Sequence, residues 1–193
     1  MKGIWGDSPV FIVAGGPSVK RYKIEQLKHI DCKTIAVNHS FDFWPWMDAV
    51  VFQDEQFLTR STGDIDSYNG IILTRRATGY QNRDNTYFFP TNKDKVARSF
   101  QEGLFSPLSS GIVALNAALL MSTGKIYLLG YDMTGRHFYP DDYHDSIIDY
   151  DTDSWVRAIK LYDKFKDYRD RVFNLSEDSK IEVFDKVVFD GLL

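Results

Sequence analysis

The chain has 193 residues, 44% of them hydrophobic and 26% charged, and its 23 basic and 27 acidic side chains leave a net charge of −4. That length corresponds to about one domain of ~150 residues, able to bury roughly 70% of its unfolded surface without disulfide staples. The composition excludes a disordered chain, the single Cys32 excludes a disulfide framework or a cysteine zinc site, and the mild acidity excludes a general attraction to nucleic acid.

Val10-Phe11-Ile12-Val13-Ala14 reads as a buried strand ending in the turn Gly15-Gly16-Pro17-Ser18, and Pro17 suits the first position of a helix running toward Asp31. Strands follow at Thr34–Val37, Ala49–Phe52, Gly70–Leu73 and Tyr87–Phe89. Ser109-Ser110-Gly111 opens a mostly apolar helix over Ile112–Met121, with Ser110 as its expected cap, and Lys125–Leu129 is the next strand. A helix from Asp153 to Tyr168 carries Trp155, Ile159, Tyr162 and Phe165 at helical spacing, and Val172-Phe173 and Ile181–Phe184 suit short terminal strands. No stretch reaches the ~20 apolar residues that span a bilayer and no basic leader is evident, so the expectation is a cytoplasmic protein.

Continuous apolar strands interleaved with helices indicate an α/β fold with a largely parallel sheet covered on both faces. Ligands of such sheets bind at the carboxyl ends of the strands, where Gly15, Gly16, Pro17, Ser18, Asn38, Asp54, Ser109, Ser110, Gly111 and Asp132 fall. The glycine pair before a helix start suits an anion, or serves only as a tight strand-to-helix turn. Asn38 can offer a donor and an acceptor to a base edge or sugar hydroxyl, or act as a turn residue. Asp54 and Asp132 can hold ribose hydroxyls or a metal, against a plain role in loop solvation or capping. The segment from Asp132 to Asp153 gathers seven aspartates with His137, His144, Tyr139 and Tyr143, directly after Tyr131, and reads as an active-site loop in which a histidine is a candidate general base.

Taken in order, Val13–Ser18, Asn38, Asp54, Ser109-Ser110-Gly111 and Ile126–Asp132 with a histidine downstream resemble bacterial sialyltransferases of the lipooligosaccharide type. They equally resemble the wider superfamily of 6-hydroxymethylpterin pyrophosphokinase-like proteins and the core of flagellin-modifying glycosyltransferases. The resemblance implies a nucleotide on Gly15, Gly16, Pro17, Ser18 and Asn38, with Ser109, Ser110 and Gly111 beside it. It implies a base among the later histidines, His144 first and His137 second, and Tyr139 and Tyr143 as partners of the donor phosphate. The turn departs from the sialyltransferase version in lacking its additional Asn.

The expectation is a single Rossmann-like α/β domain over residues 1–193. It binds a nucleotide or nucleotide-sugar (a CMP-sugar, a UDP-sugar or ATP) and transfers a glycosyl group to a hydroxyl acceptor without a required cofactor. The alternatives are an ATP- and Mg²⁺-dependent pyrophosphoryl transferase, with Asp54 and Asp132 as metal ligands, and a non-catalytic nucleotide-binding module.

Overall fold

The computed structural model describes residues 1–134, 137–139 and 152–192. The chain forms strands β1 (Val10–Val13), β2 (Lys33–Val37), β3 (Ala49–Val51), β4 (Ile71–Thr74), β5 (Thr86–Phe88), β6 (Thr91–Asn92), β7 (Leu104–Phe105), β8 (Ile126–Leu129), β9 (Val172–Asn174) and β10 (Asp185–Lys186). Its α-helices are α1 (Ser40–Phe43), α2 (Glu55–Arg60), α3 (Ser110–Met121) and α4 (Thr152–Leu161). Eight strands form one sheet in the order β10-β9-β8-β1-β2-β3-β4-β5, and β6 and β7 form a small second sheet. Every pairing among the described residues is parallel. The α/β class with a parallel sheet is as the sequence indicates.

Successive strand residues face opposite ways, so a fully apolar strand feeds a core on each face. Val10 and Ile12 of β1, Ile35 and Val37 of β2, and Ile126 and Leu128 of β8 pack with α3. Phe11, Val13, Ala36 and Leu129 pack on the other face with Val19, Leu27, Phe41 and Phe57. Helix α3 is apolar all round because it is enclosed all round: each of its residues except Leu119 is buried. One polar side chain inside it is accounted for. Asn116 accepts the N–H groups of Ala97 and Phe105 at 3.0 and 2.9 Å and donates to Ala97 O at 3.1 Å, fastening the segment that carries β7 onto α3.

Several features differ from the sequence reading, among them the helix expected from Asp153 to Tyr168, which is an α-helix only to Leu161 and continues as a 3-10 stretch over Tyr162–Tyr168. The helix expected after Pro17 is two 3-10 turns, Pro17–Arg21 and Ile24–His29, parted by an extended Tyr22. Tyr22 O–H donates to Leu175 O at 2.9 Å and Lys23 N–H to Leu192 O at 2.7 Å, so tertiary bonds break the helix. Ile181–Phe184 is not a strand, because Lys180 N–H is spent on Asp132 O and Ile181 N–H on Ser179 Oγ; the strand is β10. The cap of α3 is Ser109, whose side chain accepts Gly111 N–H, and not Ser110. Among the large aromatic side chains of these strands and helices, Phe11, Phe52, Tyr162 and Phe165 lie in the core, whereas Tyr127 and Trp155 are only half-buried.

No helix among the described residues is long and apolar enough to cross a membrane.

Candidate functional site

The sheet order makes β1 and β8 central neighbours from which the chain winds outward in opposite directions, toward β5 on one side and β10 on the other. That reversal opens a crevice at the carboxyl ends of β1 and β8, the usual ligand position in such sheets. A cavity of about 210 Å³ lies there. It is an order of magnitude above the ~10–15 Å³ that admits one water, so it has room for part of an organic molecule.

The strand ends supply Ala14, Gly15, Gly16, Val37, Asn38, Asp54, Gly130 and Tyr131. Ser109, Ser110 and Gly111 come from the start of α3, and His137 and Tyr139 from the segment beyond β8. These sequence-derived candidates therefore meet in one place. Pro17, Ser18 and Asp132 do not line the cavity. Tyr143 and His144, with the rest of the acidic cluster between 140 and 151, lie outside the described residues.

Asp132 sits behind the cleft, 4% exposed, and holds its floor together. Its carboxylate accepts Ser18 N–H at 3.3 Å and Ser18 O–H at 2.8 Å. Ser176 Oγ stands 2.6 Å from Ser18 Oγ, and because Ser18 gives its proton to Asp132, Ser176 donates to Ser18. Burial raises the Asp132 pKa, and the two Ser18 bonds oppose that rise without cancelling it. Gly16 N–H is likewise occupied, bonding Gly130 O at 2.9 Å. The glycines are needed by the protein's own packing: a Cβ on Gly16 would collide with the Asp132 carboxylate and the Gly130 backbone, and Gly130 has a left-handed φ of 71°.

Gly15 serves the cleft more directly. A Cβ there would come within 2.5 Å of His137 Nδ1 and 2.6 Å of Tyr139 Oη. His137 lies against this turn with Nδ1 3.3 Å from Gly15 O, which also accepts Phe138 N–H at 2.8 Å. A carbonyl can only accept, so Nδ1 carries the hydrogen and Nε2 holds the lone pair of the neutral ring. Burial lowers the His137 pKa, the Gly15 bond pulls the other way, and nearby His39 lowers it further. The ring stacks on Tyr139 at 4.9 Å, and Tyr139 in turn stacks on Phe43 at 5.6 Å.

Two polar atoms at the cleft are buried with no hydrogen-bond partner, Asn38 Oδ1 and Ser110 Oγ. An orphaned buried acceptor costs about 1–3 kcal/mol, which a ligand can recover. Asn38 and Met133 are also the non-glycine residues with positive φ among those described, at 50° and 56°, and both line the cavity. Such backbone strain concentrates at binding sites. At the start of α3, Ser109 O and Oγ satisfy the N–H groups of Gly111, Ile112 and Val113. What the helix offers the cleft is the positive end of its dipole and the Ser110 hydroxyl.

Sequence reasoning missed the opposite wall. Leu108, Met133, Thr134, Ser154, Trp155, Ala158 and Tyr162 complete the lining. Trp155, Ala158 and Tyr162 recur at i, i+3 and i+7, a spacing that marks a helix face without saying whether a core or a cleft lies against it.

No family model matches the chain, and no curated protein matches it in sequence. Among solved structures it matches the sialyltransferase CstII from Campylobacter jejuni in complex with the substrate analogue cytidine-5'-monophosphate. The TM-score is 0.54 with 15% identity, over 96% of this chain and 87% of that one. The fold is similar to that of a sialyltransferase. A structure of the same enzyme with CMP-3FNeuAc gives 0.49 and 15%, over 95% and 86% of the two chains. The likeness is to the sialyltransferase branch of the resemblance, and it lends no support to the pyrophosphokinase branch.

Proposed function

We propose that the cleft binds a nucleotide-sugar and transfers its glycosyl group to a hydroxyl acceptor, with His137 as the general base. The observation that carries this reading is one cavity, at the reversal point of the sheet, that joins a neutral histidine with a fixed tautomer to two orphaned polar atoms and a helix N-terminus. Asn38 meets a nucleoside or sugar polar group. The α3 terminus and Ser110 face the phosphate. The acceptor O–H gives its proton to His137 Nε2 while its oxygen bonds the anomeric carbon. The bond from that carbon to the phosphate oxygen breaks, and its electron pair leaves with the nucleotide. The described lining includes no Lys or Arg, which suits the single charge of a nucleoside monophosphate ester better than a polyphosphate. The similarity in fold to an enzyme crystallised with cytidine-5'-monophosphate supports the same choice.

Mg²⁺ held by Asp54 and Asp132 does not fit this arrangement. Asp132 is turned to Ser18 and does not line the cavity, Asp54 is paired with Arg75 at 3.5 Å, and no group of three metal-ligating side chains assembles among the described residues.

The test is nucleotide release from CMP- and UDP-sugars without added metal. Turnover is expected in the native chain and is lost in His137→Ala with nucleotide binding retained. Full turnover in His137→Ala with loss in His144→Ala would move the base to His144. Nucleotide binding without any turnover would make the chain a binding module, and consumption of ATP alone with Mg²⁺ would overturn the reading.

A further inference from the structure

The chain leaves β2 through Asn38, which lines the cleft, and His39, which does not. His39 instead turns to its own helix: Nδ1 lies 2.8 Å from Oδ2 of Asp42 on α1. A carboxylate only accepts, so Nδ1 carries the hydrogen. The Asp42 side chain is 1% exposed, and its Oδ1 accepts Gly63 N–H at 2.8 Å and Ser61 O–H. Three donors thus fix the carboxylate, and the carboxylate fixes the imidazole. The His39 ring meets Phe57 at 5.4 Å and stands edge to face with Tyr139 at 6.1 Å. Tyr139 stacks on His137 at 4.9 Å. A continuous path of side chains therefore runs from a buried carboxylate to the ring proposed as base. Packing alone does not call for it, because a phenyl ring would fill the space between Phe57 and Tyr139 without a carboxylate that is costly to bury.

We propose that His39 is a positioning residue for His137: anchored by Asp42, it holds the Tyr139 ring by its edge, and Tyr139 holds the plane of the His137 ring against Gly15 O. The inference rests on the reading of His137 as the base. The same closeness acts on charge, since a proton on one imidazole opposes a proton on the other. Burial is the leading influence that lowers the His137 pKa, and His39 adds to it against the pull of the Gly15 bond. Among the described residues, the titratable groups around His137 are Tyr139 stacked on it, His39 and Asp42 beyond Tyr139, Asp54 on the same cavity, and Asp132 behind Gly16.

The chain contains four histidines, so ring ¹⁵N labelling gives a small spectrum in which His137→Ala identifies the His137 signals. The full chain is titrated between about pH 5 and pH 8 in the native form, in His39→Gln, which keeps a donor for Asp42 but no ring, and in His39→Phe, which keeps a ring but no proton. The His137 midpoint is expected to rise by about half a pH unit in both variants. Nucleotide release is then measured near pH 8, where the His137 ring is neutral in every form. There kcat is expected to fall about tenfold in His39→Gln with donor KM unchanged, and His39→Phe is expected to restore most of it. A midpoint that stays in place in both variants, or a folded His39→Gln chain with native kcat or with only its KM raised, overturns the inference. If His39→Gln does not fold, the His137 midpoint in His39→Phe decides in its place. A native chain that releases no nucleotide defeats the transferase reading, and the NMR midpoint alone then upholds or overturns the link from His39 to His137.

Discussion

His137 Nδ1 lies 3.3 Å from the carbonyl oxygen of Gly15, which also accepts the Phe138 N–H at 2.8 Å. One backbone oxygen of the turn after β1 therefore sets both the position and the tautomer of the ring proposed as base. Burial, the leading influence, depresses the pKa of that ring. The rate against pH is expected to stay flat through neutrality and to fall only below the ordinary histidine range near ~6.5. Stability follows the same sign: the neutral ring's contribution is full above the unfolded pKa and is lost as pH falls through the lower folded one. His137→Ala should cost about 10²–10⁴ in turnover at neutral pH. An acid limb centred above the ordinary histidine value would contradict the assignment.

The two glycines of the turn should separate activity from stability. In Gly15→Ala the new methyl meets the tips of His137 and Tyr139, side chains that can move aside, so turnover should drop at least ~10-fold with little change in Tm. In Gly16→Ala it meets the Gly130 backbone and the Asp132 carboxylate, neither of which can yield, so a loss of about 1–3 kcal/mol is expected. Thermal denaturation and nucleotide release measured on both variants check the contrast.

Asp132→Asn leaves one oxygen for the two Ser18 donors and should destabilise the chain by about 1–3 kcal/mol. The Asp132 pKa is raised on folding, chiefly by burial. The native carboxyl therefore contributes most below its unfolded pKa and loses that contribution as pH rises through the folded value, whereas asparagine does not titrate. The gap between native and variant should narrow from pH 4 to pH 7. Urea denaturation at the two pH values measures it, and a gap that widens would mean that the charged form is the one the fold favours.

Much of this arrangement was legible in the sequence, and its gaps have physical causes. Apolar runs gave the strands of the main sheet, and polar residues just past them gave Gly15, Asn38, Asp54 and Ser110 as cleft residues. Ser18 and Asp132 follow the same pattern, but nothing local reveals that two residues 114 apart bond to each other behind the cleft. Trp155 looks like core by spacing, because periodicity reports a buried face and not what buries it. Asn116 is a lone polar residue in an apolar helix, a signal for a partner, and its partners lie 19 and 11 residues away.

Asn116→Ala removes the partner of two N–H groups and one carbonyl inside the core. At ~1–3 kcal/mol for each orphaned group, a loss of ~3 kcal/mol or more is expected, seen as a lower urea midpoint. A loss under ~1 kcal/mol would mean that water reaches those groups.

The central claim is that the cleft between β1 and β8 is a nucleotide site, and calorimetric titration of the purified chain with CMP in the absence of metal tests it most directly. Saturable binding is expected, weakened about tenfold or more when Asn38→Ala or Ser110→Ala removes an orphaned polar group from the lining. No binding of CMP, or binding that neither substitution alters, would contradict the account.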